Sequence, residues 1–114
     1  MRFKPPPALD SEIGWRVEFR TLDVQITDFE NAAWIALLQL LVQFLTKNPD
    51  YDTSLPISQC DENMERAHSR DAVNTQNFFW KQTHTRESTD FSEMTLNEIF
   101  NGSESCKGLI PILT

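Results

Sequence analysis

Glycine is nearly missing from this chain. Only Gly14, Gly102 and Gly108 occur in 114 residues, too few and too scattered for a loop that cradles phosphate on its backbone N–H groups. Cysteine is as scarce: Cys60 and Cys106 lie far apart, make no CxxC pair, and share the sequence with only His68 and His84. That disfavours a zinc site or a disulfide framework and leads us to expect reduced thiols in a cytoplasmic protein. Positive charge is in deficit, with 10 Lys and Arg against 17 Asp and Glu and a net charge of -7. Nucleic acid and anionic membrane surfaces both call for a basic field, so neither is an expected partner. No apolar h-region follows the first residue, because Met1-Arg2-Phe3-Lys4 runs straight into Pro5-Pro6-Pro7. A secretory signal is therefore not expected, and Asn101-Gly102-Ser103 is then a sequon by chance. No internal repeat shows.

Apolar volume, by contrast, is present. A hydrophobic content of 39% with 8 Phe and 3 Trp supports one modest core, and the length allows at most one domain. The stretch that organises the chain is Gly14-Trp15-Arg16-Val17-Glu18-Phe19-Arg20. With period two, Trp15, Val17 and Phe19 point one way, toward a packed sheet face, and Arg16, Glu18 and Arg20 point the other. Two readings of the charged face stand side by side. It is a solvated surface whose charges pair with each other, or it lines an anionic-substrate site. In the second reading the carboxylate serves a hard metal ion and the guanidiniums hold carboxylate or phosphate.

Around that strand, expected over 12–20, the rest of the chain falls into place. Arg2 and Lys4 share one side of a short strand that the three prolines end, since proline cannot donate to a ladder. Residues 5–11 form a stiff, polyproline-like connector. The apolar parity flips after Phe19, to Leu22, Val24 and Ile26, so a bulge or tight turn is expected between Arg20 and Asp23. Thr27-Asp28-Phe29-Glu30 has capping-box spacing and starts a helix over 28–46, stopped by Lys47-Asn48-Pro49. From Ala32 to Leu45 only Gln39 and Gln43 are polar. A helix so apolar all round is expected to be buried; its uninterrupted stretch falls short of the ~20 residues of a membrane span. A chain of this length can hardly cover it on every side, so part of the covering is expected from elsewhere. Ser58-Gln59-Cys60-Asp61 suggests a second capped helix, reaching about Val73 with Met64 and Ala67 inward and His68 on the surface. Phe78-Phe79-Trp80 is a strand or buried extended segment, and 81–93 a polar loop. Thr95-Leu96-Asn97-Glu98 is a third capping box, opening a short helix that ends at Asn101-Gly102. The last residues, Gly108-Leu109-Ile110-Pro111-Ile112-Leu113-Thr114, stop within an apolar run, which suggests a truncated chain.

Several blocks carry a family resemblance. They are Met-Arg-Phe-Lys-Pro-Pro-Pro (1–7), Ile-Gly-Trp-Arg-Val-Glu-Phe-Arg (13–20), Val-Gln-Ile-Thr-Asp-Phe-Glu-Asn (24–31), Asp-Glu-Asn-Met (61–64), Arg-Asp-Ala-Val (70–73) and Gly-Leu-Ile-Pro-Ile-Leu (108–113). In this order and spacing they resemble the catalytic subunits of the eukaryotic glutamate–cysteine ligase (γ-glutamylcysteine synthetase) family across nearly the whole chain. The resemblance implies an α+β segment, with antiparallel strands and packed helices, of a glutamine-synthetase-like fold. It implies that residues 1–114 are a partial catalytic domain, cut at both ends. It implies an ATP-dependent ligase that phosphorylates the side-chain carboxylate of L-glutamate and joins it to the amine of L-cysteine, the first step of glutathione biosynthesis. Mg²⁺ is the implied cofactor, with ATP as substrate and a regulatory (modifier) subunit as partner.

By the same resemblance Glu18 is a Mg²⁺ ligand and Arg20 contacts glutamate or the transferring phosphoryl group. Arg16 joins them or pairs with Glu18, and Arg2 and Lys4 add positive potential. Asp28 and Glu30 stay structural, and Asp61, Glu62, Asn63, Arg70 and Asp71 match without an assigned role. Thr21 stands where relatives often have proline, Phe78-Phe79-Trp80-Lys81 only approximates an aromatic-aromatic-basic run, and 81–95 and 103–107 do not match in detail. One glutamate cannot hold a multi-metal ATP site, so the segment alone is expected to be inactive. The alternative from another class is a small non-catalytic interaction module that docks through the apolar helix 28–46.

Overall fold

A computed structural model of the chain describes residues 2–8, 10–20 and 22–114. Among the described residues there are four strands and five helices, a mixed α/β composition with two small antiparallel sheets. The chain divides into two units, Met1–Gln39 and Leu40–Thr114.

The first unit holds β1 (Arg2–Lys4) and β2 (Arg16–Glu18), paired antiparallel with Arg2 opposite Glu18, Phe3 opposite Val17 and Lys4 opposite Arg16. β2 is shorter than the strand expected over 12–20. The partner sets the limit, since Pro5, Pro6 and Pro7 follow β1 at once and bring no N–H to extend the ladder. Side chains alternate as the sequence requires, but Trp15 (72% exposed), Val17 and Phe19 are exposed rather than packed as expected. Residues 22–25 are irregular, so the parity flip marks the end of strand structure and no second strand follows it. Thr21, in the expected bulge, lies outside the described residues, as do Met1 and Leu9.

The helix α1 (Asp28–Lys47) runs across the unit boundary. Its start is the capping box expected from Thr27 and Glu30. The Glu30 N–H donates to Thr27 Oγ1 at 3.2 Å and the Thr27 N–H to Glu30 Oε2 at 3.1 Å. Asn31 ties down the approach by donating to the Thr27 and Gln25 carbonyls and accepting from the Gln25 N–H. At the far end Asn48 bonds back to the Phe44 carbonyl before Pro49. The expected burial does not occur within this chain, for α1 has no buried residue and Phe29 is 82% exposed. By length and composition α1 is long and apolar enough to cross a membrane.

The second unit carries the core. β3 (Asn77–Lys81) and β4 (Phe91–Thr95) pair antiparallel with Phe78 opposite Met94 and Trp80 opposite Ser92. β4 lies partly inside the expected loop. Its apolar side chains, Phe91 and Met94, are interrupted by Ser92 and Glu93, which leaves no alternation to detect. Phe78 and Trp80 face Met94, Ile99 and Cys106, joined by Leu96, Phe100 and Leu109. The third capping box forms as expected: the Glu98 N–H donates to Thr95 Oγ1 and the Thr95 N–H to the Glu98 carboxylate, opening α4 (Leu96–Asn101). Gly102 ends α4 at φ 96°, a backbone state that disfavours any side chain. A Cβ on Gly108 would collide with the backbone at Phe100, Asn101 and Gly102. That close approach brings α5 (Leu109–Leu113) against α4.

The helix α2 (Ile57–Ala67) starts earlier than Ser58 suggests. The Gln59 and Cys60 N–H groups already donate to the Pro56 carbonyl, so Ser58 sits inside the first turn and caps nothing. α2 also ends short of Val73, and a separate turn, α3 (Ala72–Thr75), follows Asp71 in the left-handed region at φ 55°. Met64 and Ala67 face solvent rather than the interior, while Asn63 and Arg66 face the sheet. His68 is exposed, as expected.

Candidate functional site

The ribbon in the first unit brings the sequence-derived site residues together. Antiparallel register puts Arg2, Lys4, Arg16 and Glu18 on one face, and Arg20 joins them just beyond the strand. Arg20 Nη2 donates to Glu18 Oε1 at 2.8 Å, and Lys4 Nζ lies 3.1 Å from Glu18 Oε2. Arg16 does not pair with Glu18 but donates to the Pro5 carbonyl at 3.3 Å. The guanidinium of Arg20, and after it the ammonium of Lys4, hold the Glu18 carboxyl below the usual carboxylate range. Its Oε2 faces the Lys4 ammonium and is shut off from water.

Lys4 and Arg20 pair with the one carboxylate, and Arg2 and Arg16 share its face, a local excess of positive charge in a chain with a net charge of -7. Among the described residues no group of three or more His, Cys, Asp or Glu side chains gathers to hold a metal. Glu18 stands among cations, with Oε1 toward Arg20 and Oε2 toward Lys4.

The second unit contains a cluster to which the sequence assigned no role. Lys81, 3% exposed, pairs with Asp52 at 2.5 Å, and Ser54 adds hydrogen bonds from its hydroxyl and N–H to the same carboxylate. Lys81 first and Ser54 second lower the Asp52 pKa to about 2. Beside them the Tyr51 and His84 rings stack, with centroids 4.3 Å apart and planes 10° from parallel. Trp80 meets His84 and Phe44 meets Tyr51 edge to face. Burial pushes the Tyr51 hydroxyl up to about 12, and burial together with Lys81 pushes His84 down. The detectable signal was Lys81 at the end of the aromatic run; its partner, 29 positions away, was not detectable.

Asn63 and Arg66 are the other residues whose roles emerge only from the structure. Asn63 donates to the Phe79 carbonyl at 3.0 Å and accepts from the Phe79 N–H at 2.8 Å. Arg66 donates to Glu62, Glu93 and the Asn77 carbonyl while its guanidinium lies 4.7 Å from the Phe79 ring centroid. Both are structural, binding α2 to the outer edge and one face of β3.

On this ribbon face Glu18 pairs with Lys4 and Arg20, and Arg2 and Arg16 lie beside them. Comparison with known proteins gives the particular family. The family model described as glutamate-cysteine ligase matches residues 1–114, and the chain belongs to that family. It is 41% identical over its whole length to the glutamate–cysteine ligase of Schizosaccharomyces pombe, of which it covers 18%. It is 40% identical over 99% of its length to the catalytic subunit of Rattus norvegicus, of which it covers 20%. Against the Neurospora crassa ligase the identity is 52% over 70% of the chain and 11% of the relative. The chain thus spans about a fifth of the length of the first two relatives.

Proposed function

We propose that this chain contributes one wall of the active site of an ATP-dependent ligase that joins the γ-carboxylate of L-glutamate to L-cysteine, the first step of glutathione biosynthesis. Membership of the ligase family carries this reading, together with the placing of Glu18, Arg20, Lys4, Arg16 and Arg2 on one face. In the proposed parent, a glutamine-synthetase-like fold with a funnel of antiparallel strands, that face lines the funnel. The setting is cytoplasmic, with a regulatory subunit as partner and neither nucleic acid nor membrane involved.

In this reading Glu18 supplies one hard oxygen ligand of several to Mg²⁺, its carboxylate held ionised by Arg20 and Lys4, and the other ligands come from the rest of the parent. When bound, the ion neutralises the triphosphate and supports phosphoryl transfer to the glutamate carboxylate. Arg20, anchored on Oε1, presents its remaining donors to the glutamate side chain or the transferring group. Arg16, free of Glu18, is available to the same anion.

Assayed alone, the 114-residue chain is expected to make no γ-glutamylcysteine from ATP, Mg²⁺ and the two amino acids. In the Schizosaccharomyces pombe relative, Gln at the position aligned with Glu18 is expected to lower kcat by about 100-fold or more, on the order of deleting one contact to developing charge. An unchanged rate and metal dependence would remove the assignment.

A second reading rests on α1. With no buried residue it is also the surface of a small interaction module. Gln39 and Gln43 along it, and the acidic first turn of Asp28 and Glu30, favour protein over lipid as its cover. A stable, monodisperse 114-residue product that binds no ligase segment favours this second reading.

A further inference from the structure

β4 has two edges, and β3 occupies one of them. The Gln82 N–H donates to the Asp90 carbonyl at 2.9 Å, which sets the alternation of the hairpin. Bonded pairs recur at every second residue of an antiparallel ladder, so Trp80 exchanges bonds with Ser92 and Phe78 with Met94. Phe91 and Glu93, which alternate with them, therefore turn N–H and C=O toward the outer edge. Thr95 turns outward too, but the Glu98 carboxylate holds its N–H. Among the described residues no hydrogen bond reaches the outward groups of Phe91 or Glu93. On β3 the equivalent groups of Phe79 are both bonded, by Asn63.

The side chains do not guard this edge. Proline and lysine, the usual deterrents on a free strand, are missing from Phe91–Thr95. Its one charge, Glu93, is already neutralised by Arg66 at 2.9 Å. On the other face Met94 joins Phe78 and Trp80 in the core, and that apolar layer stops at β4.

We propose that the outer edge of β4 receives one further strand, supplied by the same ligase polypeptide from outside this segment. About four-fifths of the Schizosaccharomyces pombe and Rattus norvegicus relatives lies there. The incoming strand bonds to both backbone groups of Phe91 and of Glu93. Its side chains alternate: apolar ones continue the layer of Phe78, Trp80 and Met94, and small or polar ones lie beside Glu93 and Arg66. This assignment rests on membership of the ligase family and is independent of any role for the ribbon face.

Residue-resolved hydrogen exchange of the full-length Schizosaccharomyces pombe ligase tests it, read at the positions aligned with β4. Amides aligned with Phe91 and Glu93 should exchange within about tenfold of those aligned with Ser92 and Met94, because both edges are then in ladders. Exchange about a hundredfold faster at the first pair means a bare edge and overturns the proposal. A photoreactive benzoylphenylalanine at the position aligned with Phe91 identifies the neighbour. Illumination should join it to a peptide of the same polypeptide from outside the aligned segment. A product of doubled mass assigns the edge to a second copy and overturns the proposal, as does a cross-link confined to the aligned segment. The exchange measurement uses unmodified enzyme and decides the question even if the photoreactive variant does not fold.

Discussion

Single residues act here mainly by what they neutralise or pin. His84 is the clearest case with a solution consequence. Its ring lies between Tyr51 and Trp80, its Nε2 is buried without a partner, and its backbone carbonyl accepts from the Asp52 N–H at 3.0 Å. Lys81 faces it with like charge, while Asp52 and Asp90 oppose that effect; burial and Lys81 prevail and depress its pKa. A histidine whose folded pKa is depressed adds stability above its unfolded value, near 6.5, and loses it as pH falls below that value toward the folded one. The urea midpoint of the chain should therefore fall between about pH 7.5 and about pH 5.5. In His84→Phe, which keeps the stack without the titration, that part of the slope should disappear. An identical slope in both proteins would show that the imidazole does not carry the effect.

Among elements, the local rules written into the sequence held where they concerned adjacent residues. Both Thr-x-x-Glu boxes, at Thr27 and Thr95, close reciprocally. Thr95→Ala should cost about 1 kcal/mol of unfolding free energy, the usual value of a helix N-cap. Denaturant titration at neutral pH measures it, and a loss indistinguishable from zero would mean that the box adds nothing to the packing of α4. The charged face of β2 was also visible, because a period of two fixes which side chains share a side. What stayed hidden depended on distant partners. β4 escaped notice because Ser92 and Glu93 break its pattern, and Glu93 is polar for the sake of Arg66 on α2. Met64 and Ala67 looked like the inward face of α2. The sheet instead receives Asn63 and Arg66, whose hydrogen bonds to the β3 backbone no hydropathy pattern encodes. The pairing of Lys4, rather than Arg16, with Glu18 depended on the register between strands separated by a proline connector.

At the scale of the whole molecule the decisive quantity is uncovered surface. Large apolar side chains lie exposed on α1 and on the uncharged side of the ribbon, at Phe3, Trp15, Phe29, Ile35 and Val42. The sequence anticipated that a helix with only Gln39 and Gln43 to interrupt it needs cover from elsewhere. Replacing Ile35 and Val42 together by Gln should shift the isolated chain toward monomer in sedimentation and reduce its binding of an apolar dye. It should leave the helix content from circular dichroism nearly unchanged, since Gln is an adequate helix former. Unaltered association would place the sticky surface elsewhere, on the ribbon.

The grip of α2 on β3 bears on how this hairpin can be extended. Asn63 occupies both hydrogen-bonding groups of Phe79, and Arg66 occupies the carbonyl of Asn77, so positions that an incoming strand would use are already taken. Any neighbour recruited to that border would first have to evict a helix. Growth of the sheet is thereby steered to the β4 side, and one asparagine serves as a stop against runaway strand addition.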